Sequence, residues 1–185
     1  VSSAEAAVTA THLTTNTAEG FQNSWTTPSI TMEADSLILV WVMSVDNTNS
    51  QPTCTGITSS NGLTWTQVGS SYSWTNNYRG MSLYRAKTGA TTTSGTVTMN
   101  FDNTVNVGYS IIQFKGLDLG GTNGSNAIIQ TNFAANAGTG TYDDGGTVTA
   151  NFGSSVDAAN VTAFGIAGGS LNNNGSRTLT PEAGW

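Results

Sequence analysis

Acid–base or nucleophilic catalysis needs a base, and the chain has one histidine, His12. It stands between Thr11 and Leu13 in an alternating stretch and reads as an ordinary strand residue. The single cysteine, Cys54, lies in Pro-Thr-Cys-Thr-Gly at the start of a strand-like run, where a small buried side chain is expected. One cysteine forms no disulfide within the chain and no Cys-x-x-Cys metal spacing. Glycoside hydrolysis needs two carboxylates facing each other across a cleft. Of the 11 acidic residues, Glu33 and Asp35 alone have the i, i+2 spacing of one strand face. They fall at a strand end and read as a solvated turn.

Calcium is the more plausible chemistry, because a hard cation takes six to eight oxygens from Asp, Asn and carbonyl groups. The candidate ligands are Asp46, Asn47 and Asn49, then Asp102, then the adjacent Asp143 and Asp144. None of these runs matches an EF-hand loop, and solvated turns account for the same residues. A second candidate surface is aromatic. Tyr72, Trp74 and Tyr78 flank a polar loop containing Asn76 and Asn77. Aromatic faces beside amides suit a sugar, and Tyr and Trp equally anchor protein partners. Packing beneath the loop is the third reading. Trp41 and Trp65, set among strand residues, are expected to pack on a sheet.

The elements that must position these residues are strands. The 185-residue chain has 31 Thr, 20 Ser, 19 Asn and 22 Gly, about half of it, and only 9% charged residues. That composition excludes a coiled coil or helical bundle. Five Lys and Arg with a net charge of −6 exclude ordinary nucleic-acid binding. The longest apolar run, residues 37–43, is far short of the ~20 residues of a membrane-spanning helix. Val97, Met99 and Phe101 alternate with Thr96, Thr98 and Asn100, as do Val148, Ala150 and Phe152 with Thr147, Thr149 and Asn151. Thr suits the wet face of such strands through its branched Cβ. Further strands are expected at 7–14, 29–32, 53–58, 63–74, 81–86, 107–115, 127–133 and 161–167. Residues 37–45 read as a central strand covered on both faces. Asn61-Gly62 is the best hairpin signal, and 46–51, 75–78, 102–106, 116–125, 138–145 and 168–175 read as loops. Gly95-Thr-Val-Thr-Met-Asn-Phe101 recurs as Gly146-Thr-Val-Thr-Ala-Asn-Phe152, an offset of 51, as two equivalent hairpins would give. Asn123, Asn160 and Asn174 begin glycosylation sequons, expected by chance in so Asn- and Thr-rich a chain.

The succession Ser60-Asn-Gly-Leu-Thr-Trp-Thr66, Met81-Ser-Leu-Tyr-Arg-Ala86, Gly95-Thr-Val-Thr and Tyr109-Ser-Ile-Ile-Gln-Phe-Lys-Gly116 resembles jelly-roll modules of secreted bacterial surface proteins and phage structural proteins. The likeness spans roughly 29–185 and carries no catalytic residue. It implies an antiparallel two-sheet sandwich with a role in adhesion, carbohydrate contact or virion assembly. In such modules a segment like Thr180-Pro-Glu-Ala-Gly-Trp185 leads into further strands. One all-β domain is therefore expected over 1–185, either lacking its last strands or receiving one from a neighbour. The chain starts at Val1 with no signal peptide visible, as a processed or partial product would. A Lys-poor, acidic, Thr-rich surface with few tryptic sites fits a secreted, cell-surface or virion setting.

Together these features lead to a non-enzymatic structural or adhesion module, a surface, decoration or fibre subunit that self-associates or binds a scaffold. The alternatives are a carbohydrate-binding module using Tyr72, Trp74 and Tyr78, and then a sandwich glycosidase or lyase. No cofactor beyond calcium, no nucleic acid and no membrane insertion is expected.

Overall fold

The computed structural model describes residues 7–46, 52–73, 79–131 and 153–154. It is all-β and antiparallel. The strands are β1 (Thr9–Thr26), β2 (Ile30–Met32), β3 (Leu37–Val45), β4 (Cys54–Ser59), β5 (Thr66–Gln67), β6 (Tyr72–Ser73), β7 (Arg79–Lys87), β8 (Thr93–Gly95) and β9 (Val97–Lys115). Seven form one sheet in the order β1-β9-β3-β7-β5, with β4 beside β9 and β6 beside β7. β2 and β8 form a separate two-stranded ribbon. No helix among the described residues is long and apolar enough to cross a membrane.

β3 lies between β9 and β7, and its unbroken Leu-Ile-Leu-Val-Trp-Val-Met run follows from having both faces covered. Ile38, Val40 and Val42 enter the main core, while Leu37 and Leu39 enter a second cluster on the other face with Val68, Leu83 and Phe114. Trp41 packs half-buried on that second cluster, and Trp65 on the first, as expected for sheet tryptophans.

β9 organises the fold. Its odd residues, Val97, Met99, Phe101, Val105, Val107, Tyr109 and Ile111, all lie in the main core. Its first part pairs with β4 and its second with β3, while β1 runs along the opposite side of both. Cys54 is opposite Phe101, and Tyr84 joins Ile111 through Val40. Phe101 and Ile111 are ten positions apart, ~33 Å of extended strand. Yet the Tyr84 hydroxyl donates to the Cys54 carbonyl at 2.7 Å. β9 therefore bends, folding the β4 end over the β3–β7 end. The bend falls opposite the register shifts in β1 between Ala18 and Ser24, as bulges at a sheet corner do.

The structure corrects several expectations. Residues 102–106 belong to β9 and are not a loop. Val105 and Val107 continue the inward series, and the polar residues between serve the corner. The Asp102 carboxylate accepts the Thr53 N–H at 2.8 Å, and the Asn106 side-chain oxygen accepts the Gly20 and Phe21 N–H groups at 2.9 and 3.2 Å. Asn61-Gly62 makes a turn, with the Gly62 N–H on the Ser59 carbonyl at 3.1 Å and Gly62 at φ 74. It makes no hairpin, because β4 pairs with β9 and β5 with β7. The expected strand 63–74 is two short strands, β5 and β6. A 3-10 turn, Thr122–Ala127, stands where loop and strand were expected, and 128–131 pair with no strand. β1 runs twelve residues beyond the predicted end at Thr14, held by β9 along its length.

Candidate interaction surface

The outer face of the large sheet is partly covered. The segment carrying Leu117, Leu119, Ala127 and Ile128 packs over the second cluster at one end. Beyond it a row of residues crosses the sheet, half-buried from Tyr72 to Gly108 and exposed at Thr17. Tyr72 on β6 pairs with Met81 on β7, Met81 with Met43 on β3, Met43 with Gly108 on β9, and Gly108 with Thr17 on β1. Directly opposed residues share a face. A Cβ on Gly108 would sit 3.7 Å from Thr17 and 4.0 Å from Met43, so the row has a shallow centre. Trp41 lies one step along, opposite Ser110 and Leu83. The sheet thus places Tyr72 next to Met81, with Met43 and Trp41 on the strand beyond, a grouping the sequence signals only through strand alternation. Trp74, Asn76, Asn77 and Tyr78 lie outside the described residues.

This face ends at β1, which is exposed along most of its 18 residues. Among the described residues it pairs with β9 alone. β1 contains no Lys, Arg or Pro, and its ionisable side chains are His12 and Glu19, both exposed. The Thr17 N–H is taken by the adjacent Asn16 side chain at 2.9 Å. Phe21 sits on the bulge at φ 44 and 36% exposure, with Trp25 nearby donating its ring N–H to the Val105 carbonyl at 2.9 Å.

The opposite side of the sheet is closed by a side chain. Asn123 donates to the carbonyls of Thr64 (2.7 Å) and Arg85 (3.3 Å) and to the Thr66 hydroxyl (3.2 Å), and accepts the Lys87 N–H at 3.1 Å. Arg85 and Lys87 in turn donate to the carbonyls of Asn123 and Leu119. Asn123 heads a sequon, but its amide nitrogen is committed to this network. Only tertiary structure reveals that role.

The other sequence candidates separate. Asp46 is 3% exposed and accepts the Asn103 amide at 2.6 Å, one residue from Asp102. Asp46 and Asp102 thus serve different partners near the β9 corner, the first Asn103 and the second Thr53, while Asn47, Asn49, Asp143 and Asp144 lie outside the described residues. Among the described residues no three His, Cys, Asp or Glu side chains group as metal ligands. Glu33 is exposed and pairs with Lys115 at 2.7 Å. Cys54 is buried, and burial pushes its thiol above the ordinary range. The same cause raises the Tyr84 phenol.

In comparisons with known proteins, no family model, no curated protein and no solved structure matches the chain.

Proposed function

We propose that the protein is a non-catalytic structural or adhesion module of jelly-roll type, a surface, decoration or fibre subunit of an extracellular or virion assembly. The observation that carries this reading is the β1 edge: long, exposed and unpaired among the described residues. Edge strands recruit further strands unless Lys, Pro or a cover blocks them. β1 has neither Lys nor Pro. Catalytic roles fit poorly. Burial keeps the Cys54 thiol from the thiolate form that a nucleophile needs. Glu33 is engaged by Lys115.

Sedimentation of the protein over a wide concentration range tests the reading. Concentration-dependent association is expected, and a monomer throughout overturns it. The row Tyr72–Met81–Met43 with Trp41 favours carbohydrate contact as a second reading. There the protein stays monomeric, and Tyr72→Ala abolishes binding to a soluble glycan.

A further inference from the structure

The faces of β1 restrict what can join its edge, which is unpaired among the described residues, and its two ionisable residues select one arrangement. Thr14, Asn16 and Ala18 lie opposite Ile111, Tyr109 and Val107, so they face the core side. His12, Thr15 and Thr17 lie opposite Ile112, Ser110 and Gly108, so they face the outer side. The register shift between His12 and Thr14 leaves Leu13 as an extra residue, and Leu13 packs against the core. Glu19 follows Ala18 and by alternation falls on the outer side with His12.

A strand meeting its own copy across a two-fold axis pairs positions symmetrically about that axis. With the axis at Asn16, Thr15 meets Thr17 and Thr14 meets Ala18, every pair on a common face. The extra residue Leu13 then advances the register by one position, and His12 comes opposite Glu19. Axes at Thr15 or Thr17 also match the faces, but they part His12 from Glu19.

We propose that two copies of this chain join antiparallel through β1, about a two-fold axis at Asn16, with His12 of each copy facing Glu19 of the other. The inference rests on the assembly reading above and deepens it by naming partner and register. The complementarity is between the strand and its own rotated image, which makes a second copy the fitting occupant. Opposed Thr15–Thr17 pairs add favourable cross-strand contacts. The Asn16 side chain that takes the Thr17 N–H gives way to a partner carbonyl. Beyond Glu19 the bulge ends the pairing, because Asn106 already holds the N–H groups of Gly20 and Phe21. The interface is short, so association is weak and salt-sensitive.

The experiment is sedimentation velocity on the full chain and on Glu19→Lys, His12→Glu and the double variant His12→Glu/Glu19→Lys, with circular dichroism confirming each fold. Both sites are exposed, so folding is expected to survive. His12→Glu is expected to weaken association roughly tenfold, since two Glu–Glu pairs then face each other, and Glu19→Lys to weaken it less, through loss of the carboxylate that accepts from His12. The double variant restores it. His12→Lys, which carries a full positive charge at neutral pH, keeps association or tightens it. Association equal in all variants overturns this register while leaving the assembly reading standing. Absence of association in the unchanged protein overturns both.

Discussion

Along its outer edge β7 meets a succession of neighbours, whereas β1 at the far side of the same sheet meets none among the described residues. Gly80 and Met81 pair with β6, the Leu83 carbonyl takes the Val68 N–H at 2.8 Å, and Tyr84 and Arg85 pair with β5. Where β5 ends, the Asn123 carboxamide takes over, accepting from Lys87 and donating to Arg85 as a further strand would. On β1 the devices are few: Asn16 serves Thr17, and Asn106 serves the bulge. The difference is one of coverage. Closing β7 engages its edge from Gly80 to Lys87 through two strands and a carboxamide. Capping at Thr17 and at the bulge leaves the rest of β1 competent to exchange small contacts for a strand.

Measurements at four positions sharpen or break this contrast. The largest effect is expected at Gly80, which is buried and pairs with Ser44 on one side and Ser73 on the other. There an added Cβ would collide with the Pro52 carbonyl and lie 2.9 Å from the Ser44 hydroxyl. Gly80→Ala should cost about 3 kcal/mol in urea unfolding, because the obstacle is backbone. Asn123→Ala should cost about 2 kcal/mol, from the loss of two N–H donors shared among three acceptors, one lost acceptance and a φ of 50 that suits Asn better than Ala. Asn123→Asp keeps the acceptor for Lys87 but sets a carboxylate oxygen against the Thr64 and Arg85 carbonyls, and should cost at least as much. An Asn123→Ala protein as stable as the parent would break the comparison.

Acid should loosen the closed edge. The Gly120 N–H, and then the Asn126 amide, hold the Asp118 carboxyl below its usual range. A depressed carboxyl gives stability present above its unfolded pKa, about 3.9, and lost as pH falls through the lower folded value. Asp118 is exposed, so the effect is small. Between pH 5 and pH 3 it should appear as a lower protection factor at the Lys87 amide, with the observed rate divided by the intrinsic rate at each pH. The substitution Asp118→Asn, which leaves no carboxyl to titrate, should remove that step. The smallest effect is expected from Asn16→Ala, within about 0.5 kcal/mol, because it frees one N–H that water can reach. A large loss there would mean that β1 is locked within the monomer.

Parts of this organisation were legible in the chain. Residues 37–45 were readable as β3 with correct bounds, because only a strand buried on both faces tolerates seven successive apolar side chains. The alternation Val97–Phe101 gave the start of β9, and burial of Cys54 followed from its apolar character. The continuation through Asp102, Asn103 and Asn106 was not readable. Those residue types signal turns locally, and here the same hydrogen-bonding capacity holds a bent strand to Thr53, Asp46 and the β1 bulge. Asn61-Gly62 and Asn123-Gly124 show the same limit. Both glycines have φ 74, yet the Asn61 side-chain oxygen is buried with no partner among the described residues, whereas Asn123 makes the network that closes β7.

By itself the sequence determined the class of fold and the character of its surface. Period-two alternation, Thr in place of Lys and Glu, and continuous apolar runs are properties of single segments, and one segment's burial needs suffice to produce them. Tertiary structure alone decided which edge is closed, where β9 bends, and that Tyr72, Met81, Met43 and Thr17 form one row. Pairing depends on register between segments up to about a hundred residues apart. Register is set by the summed fit of both faces, which no single segment encodes.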